Sequence, residues 1–171
     1  MKRSLRSIAV AAFLVAGLAI AAPASAGSLT DHGENKTLDA LLRGQTLGAP
    51  ATWYVGVTTD TCTDAGNGTE PSGGAYARVA VAASLANWAG TQGVGTTTAS
   101  SGTSGTTSNN ALISMPETTA AWSTIRAVRF YDASTAGNAW ICLPITLPLD
   151  VDRAGVTVKF PAATLQFSID D

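Results

Sequence analysis

Residues 70–81 read EPSGGAYARVAV. Pro71 fixes one backbone angle, and Gly73 and Gly74 permit turn conformations that other residues resist, so the chain is set to enter a strand at Tyr76. From there Ala77, Val79 and Val81 alternate with Tyr76, Arg78 and Ala80, the period of a half-buried strand. Arg78, opposite in face to Val79, is expected to pair with a carboxylate such as Asp132 or Glu117. Working outward, Trp53, Val55 and Val57 alternate with Tyr54, Gly56 and Thr58. Val156, Val158 and Phe160, then Leu165, Phe167 and Ile169, repeat the pattern as the clearest strands of the chain. Residues 111–116, 124–132 and 138–151 supply the others, with Pro144 and Pro148 expected to bend or end the last. Short strands separated by Gly, Pro, Asn and Asp predict a mainly β fold, an antiparallel β-sandwich of jelly-roll type. One short N-terminal helix completes it: residues 28–44 offer Thr30 and Asp31 as caps, Glu34 in the first turn, Leu38, Leu41 and Leu42 as an amphipathic stripe, and Gly44 as a stop.

The beginning of the chain reads differently. Lys2, Arg3 and Arg6 precede an uncharged apolar run over residues 8–22, and Ala24-Ser25-Ala26 presents small residues where a signal peptidase cuts. The run falls short of the roughly 20 residues that span a bilayer. Residues 1–26 therefore read as a signal peptide, and residues 27–171 as a single secreted or periplasmic domain with no membrane association after cleavage. Three of the ten Lys and Arg, and none of the twelve Asp and Glu, lie in residues 1–26, so the remainder carries a formal −5. That charge disfavours nucleic acid and anionic lipid as partners. Cys62 and Cys142, an even count in an exported chain, favour a disulfide, the alternative being two separate buried thiols. Residues 90–110, sixteen of twenty-one of them Gly, Ser or Thr, predict a flexible loop, either a recognition loop or a tolerated surface insertion.

Catalytic chemistry is hard to place. His32 is the sole histidine and falls in the first helical turn, and no G-x-S-x-G frame surrounds a serine. Asp150 and Asp152 read as turn carboxylates rather than an acid pair. Asp60, Asp64, Asn67 and Glu70 place oxygen donors in a glycine-bearing loop but miss the calcium-loop spacing, which leaves a disulfide-pinned turn as the simpler reading. No catalytic residue, metal site or cofactor is assigned.

Six segments, in order, carry a resemblance: LTDHGENKTLDALLRG from Leu29, TWYVGVTT from Thr52, TEPSGGAYARVAV from Thr69, NW at Asn87-Trp88, ISMPETTAAWSTI from Ile113 and FYDASTAGN from Phe130. Together with the two terminal strands they span nearly all of residues 28–170, and the chain resembles a family of small tailed-phage virion structural proteins, the phage tail fibre proteins. The resemblance implies a non-enzymatic structural protein, fibre-like or decoration-like, of phage or prophage origin. It implies assembly with like subunits or phage virion proteins, with Glu70, Pro71, Gly73, Gly74, Tyr76 and Arg78 as a fold-defining turn and strand. The alternative is a secreted adhesion module whose loop at 90–110 and exposed Trp88 or Trp122 contact a cell-surface glycan.

Overall fold

A computed structural model describes residues 28–169; the signal peptide expected over residues 1–26, with its expected cleavage point, lies outside the described residues. The chain runs β1 (Ser28–Leu29), α1 (Asp31–Leu42), β2 (Thr52–Thr58), β3 (Val79–Ala82), β4 (Thr106–Ser108), β5 (Ile113–Ser114), β6 (Ser123–Tyr131), β7 (Ala139–Val151), β8 (Lys159–Phe160) and β9 (Gln166–Ser168). It is mainly β and its strand pairs are antiparallel. A five-stranded sheet has the order β1-β7-β6-β2-β3, and two ribbons pair β4 with β9 and β5 with β8.

Register explains the faces. Val55 lies opposite Phe130 and Val57 opposite Val128, while Val128 and Phe130 face Leu143 and Ile141 on the other side. These residues turn to one face, where Val55, Val57, Val128, Phe130 and Leu143 form a single buried cluster with Ile113, Met115, Val158, Phe160 and Leu165 from the ribbons and their connections. The alternation at Val156, Val158 and Phe160 therefore marks the core as expected, although the ladder there is only two residues long. Gly56, Arg129 and Cys142 line up across the opposite face.

Three expectations are corrected. The prolines do not end β7: residues 144–149 of that strand span only 125–127 of β6, so Pro144 and Pro148 flank an irregularity in one continuous strand. Residues 90–110 are not loop throughout, because Thr106–Ser108 pairs with β9 and Asn109 is buried, its side chain bonding Ala111 O, Pro161 O and Leu165 N–H. The leucines of α1 are not a core stripe. Thr30 caps the helix and Gly44 ends it in the left-handed region (φ +68°), but its buried residue is Gly33, and Leu41 and Leu42 are 74% and 81% exposed.

Candidate functional site

The segment from Glu70 to Arg78 folds back beside β2. Glu70 Oε1 accepts the Tyr76 hydroxyl at 2.6 Å and Arg78 Nε at 2.9 Å, while Oε2 accepts Arg78 Nη2 at 2.6 Å. Nη1 of Arg78 donates to the carbonyls of Ala133 (2.7 Å) and Ala136 (2.8 Å) in the turn after β6. The guanidinium lies over the Tyr131 ring, 3.4 Å from its centroid. Arg78 thus joins the turn after β2 to the turn after β6, with its two-point fork filled by one carboxylate. Its partner is Glu70, not Asp132 or Glu117. Asp132 is engaged elsewhere, accepting the Asn138 N–H at 2.7 Å and the Asn138 amide at 3.0 Å within its own turn.

Two glycines make this approach possible. A Cβ on Gly56 would come within 2.7 Å of the Tyr76 hydroxyl and 2.9 Å of Glu70 Oε1, so the bare backbone of β2 lets the cluster lie directly over it. The Val57 N–H beside it donates to the Tyr76 hydroxyl at 3.0 Å. Gly74 (φ +58°) sits against Trp122, whose ring a Cβ would meet at 2.8 Å, and its carbonyl accepts the indole N–H at 2.9 Å. Burial and the Glu70 carboxylate raise the phenols of Tyr76 and Tyr131 well above the usual tyrosine range. Burial works against the charge on Arg78, but the bonds to Glu70 outweigh it and hold the guanidinium charged.

Beside this cluster a second cation is buried. Arg129 is fully enclosed; its Nη1 faces Gly66 O at 3.3 Å and its Nη2 Thr61 O at 3.5 Å, carbonyls of the loop that follows β2. Cys62 in that loop is bonded to Cys142 of β7 (Cα–Cα 5.7 Å). Asn67 fastens the same loop to the β6–β7 connection through Gly137 O and the Ala139 N–H, each at 2.8 Å. The oxygen donors of this loop do not converge. Asp60 accepts the Thr69 N–H, Asn67 and Glu70 are engaged as described, and among the described residues no group of three His, Cys, Asp or Glu is placed to hold a metal ion.

The aromatic pair expected at a binding surface separates. Trp122 is 2% exposed and belongs to the core, edge-on to Tyr76 at 5.2 Å between centroids, which corrects its placement as a contact residue. Trp88 is half-buried, edge-on to Phe130 at 5.3 Å, and lines an apolar cavity. His32 stacks edge-on against Trp140 at 5.0 Å. Asp150 accepts the Thr124 hydroxyl, and Asp152 pairs with Arg153 at the surface.

The turn at 70–78, the strands over it and Trp122 are thus one connected structure, and they recur in the segments that suggested a phage origin. Residues 28–168 match the family model described as Podophage GP4 fiber I protein gp80. The chain belongs to this phage fibre family. No curated protein matches it. The fibre-family match covers the sheet, both ribbons and the whole Glu70–Arg78 cluster. Sequence reasoning had missed Tyr131 as part of the cluster and the buried Arg129 beside it; for Tyr131 a signal was present. The available signal was Gly56, a glycine inside an otherwise regular strand, which marks a close approach from above.

Proposed function

We propose that the domain works without turnover, as a fibre-like or decoration-like component of a phage particle that assembles with like subunits or other virion proteins. One observation carries this: the charged and phenolic side chains gathered at the Glu70–Arg78 turn are consumed by one another. Glu70, Tyr76, Arg78 and Tyr131 hold two turns to a sheet, an arrangement that supplies geometry and leaves no paired acid and base facing a substrate. The five-stranded sheet with two ribbons over its inner face supports a sandwich, with the jelly-roll strand order as its proposed form.

Residues 1–26 are proposed as a signal peptide preceding one domain at 27–171, which fits a disulfide formed in an oxidising compartment. The glycan-binding alternative is weaker. Trp122 is in the core, and the cavity beside Trp88 has little to offer a sugar's hydroxyls. Mass spectrometry of purified particles and of culture supernatant tests the proposal. Peptides from residues 27–171 should copurify with particles at a fixed ratio to other virion proteins, with an intact mass beginning at Gly27. Recovery solely as free protein in the supernatant would refute the virion role, and recovery of a chain beginning at Met1 would refute cleavage.

A further inference from the structure

The five-stranded sheet ends at β3, which pairs with β2 alone, and β5 pairs with β8 alone. These two strand edges wall an open groove of about 210 Å³, with residues 79–82 on one side, 111–114 on the other and Asn87 between them. Register shows which backbone groups are turned toward it. The Ala83 N–H donates to Ala51 O at 2.9 Å, so by the alternation of an antiparallel ladder Val81 and Val79 bond β2, while the N–H and C=O of Ala80 and Ala82 point away from it. Asn87 Nδ2 reaches Ala82 O at 3.1 Å from outside the sheet, as that orientation requires. On the far wall the Met115 N–H donates to Val158 O at 2.9 Å, so Ile113 bonds β8 and the backbone of Ser114 points away from β8. Among the described residues neither Ala80 nor Ser114 bonds a further strand.

These walls restrict the occupant. A peptide in extended conformation carries N–H and C=O groups alternately to its two sides and so matches a donor and acceptor on each wall, whereas a helix has already used its own. The floor adds a second requirement. Val79 and Val81 pack against the core and Ile113 belongs to it, while Ala80, Ala82, Leu112 and Ser114 are exposed. An inserted strand therefore alternates as well, with apolar side chains toward Val81 and Ile113 and polar ones toward solvent. A second copy of this chain has no such segment to give among the described residues. Its strands are all paired, and the loop after β2 is tied down by the Cys62–Cys142 bond. The exposed residues 43–49 and the loop at 90–105 are interrupted by glycines at positive φ, among them Gly44, Gly48, Gly93 and Gly95.

We propose that this groove is a strand-acceptor site: an extended segment of a different protein, apolar and polar side chains in alternation, lies between β3 and β5 and joins the five-stranded sheet to the β5–β8 ribbon. The groove is independent of the chain's place in a particle, so particle association and strand binding can fail separately.

The test titrates the full chain, disulfide intact, with capped peptides in which Thr alternates with Ala, Val or Phe, and follows amide NMR shifts and hydrogen exchange. At least one peptide should give saturable shifts and slow the exchange of the Ala80 and Ser114 amides, with little change at Val81 and Ile113, whose amides are already bonded. N-methylation of that peptide at its Thr amides removes the donors to one wall, and at the alternate amides those to the other; each should abolish binding. Ala80→Pro removes the free donor of β3 without breaking a bond to β2 and should weaken binding about tenfold or more. The proposal is overturned if no peptide slows exchange at Ala80 and Ser114, if only one set of N-methyl groups matters, or if folded Ala80→Pro binds as the unmodified protein does. Concentration-dependent protection of the same two amides without peptide would give the groove to a second copy and overturn it as well. The exchange and N-methyl measurements use the unmodified protein and decide the matter even where Ala80→Pro fails to fold.

Discussion

Replacing Glu70 with Gln keeps the shape of the side chain and removes its charge. The Arg78 guanidinium would then lose one half of a two-point pair, and an amide N–H₂ would stand in place of Oε2, which now accepts Nη2 at 2.6 Å. The Arg78 side chain is 5% exposed and that of Glu70 24%, so the surviving cation has little water to turn to. Removing one partner of a buried pair costs about 3–5 kcal/mol. Arg78 retains its carbonyl bonds to Ala133 and Ala136 and its place over Tyr131, and Glu70 is partly solvated. The loss therefore falls at or just below the bottom of that range, about 2–3 kcal/mol for E70Q, equivalent to roughly 6–12 °C in Tm for a domain of this length.

The assay is urea unfolding followed by tryptophan fluorescence with the disulfide intact. A double-mutant cycle with Arg78→Met isolates the pair from the other bonds that each residue makes. The combined variant should be less destabilised than the sum of the singles by at least about 1 kcal/mol. A loss below about 0.5 kcal/mol for E70Q, the level of an ordinary surface substitution, would refute the reasoning. Strict additivity in the cycle would refute it equally.

Three further outcomes are expected. Cys142→Ser frees the loop over Arg129 from β7, and with a separation of 80 residues the chain-entropy model places the loss at about 4–5 kcal/mol; equilibrium unfolding of the variant measures it, and faster exchange of the amides at 60–69 should accompany it. Gly74→Val should destabilise more than Gly73→Val, because both glycines have positive φ but only the Cβ at 74 meets Trp122 and Ala120; the strain alone costs about 1–3 kcal/mol at each, and equal losses in thermal melts would contradict the packing argument. The Asp132 carboxyl is held below its ordinary value of 3.8: burial opposes this, but the Asn138 N–H and amide, the Trp140 indole and nearby His32 outweigh it. Its contribution is therefore fully present above the unfolded value and lost as pH falls through the folded one, so the Asn138 amide should keep its exchange protection at the ordinary value of 3.8 and lose it only as pH falls further, and should be insensitive to that range in Asp132→Asn.

Much of the fold is legible from near neighbours along the chain. Thr30 caps α1 and Gly44 stops it because cap and turn chemistry act within a few residues. The alternation at Val55 and Val57, and at Val158 and Phe160, assigns core faces because successive side chains of a strand point to opposite sides. The turn at Pro71, Gly73 and Gly74 is similarly local, and the Cys62–Cys142 bond was suggested by parity and compartment. What periodicity cannot supply is the identity of the surface that covers each face. Leu38, Leu41 and Leu42 have helical spacing, yet α1 docks through its first turn and leaves them to solvent. Trp122 looked available for contact until Gly74 and Tyr76, more than forty residues earlier, closed over it. Thr106–Ser108, in a stretch too polar to order by its own composition, is a strand because β9 supplies the missing hydrogen bonds some sixty residues away. Arg129 is wholly enclosed because a loop fastened by Cys62 closes over it and turns its carbonyls toward it. Local sequence determines which conformations a segment prefers and that a strand has two faces. Burial, pairing and charge satisfaction depend on contacts between residues far apart in the chain, and those exist only once the tertiary structure has brought them together.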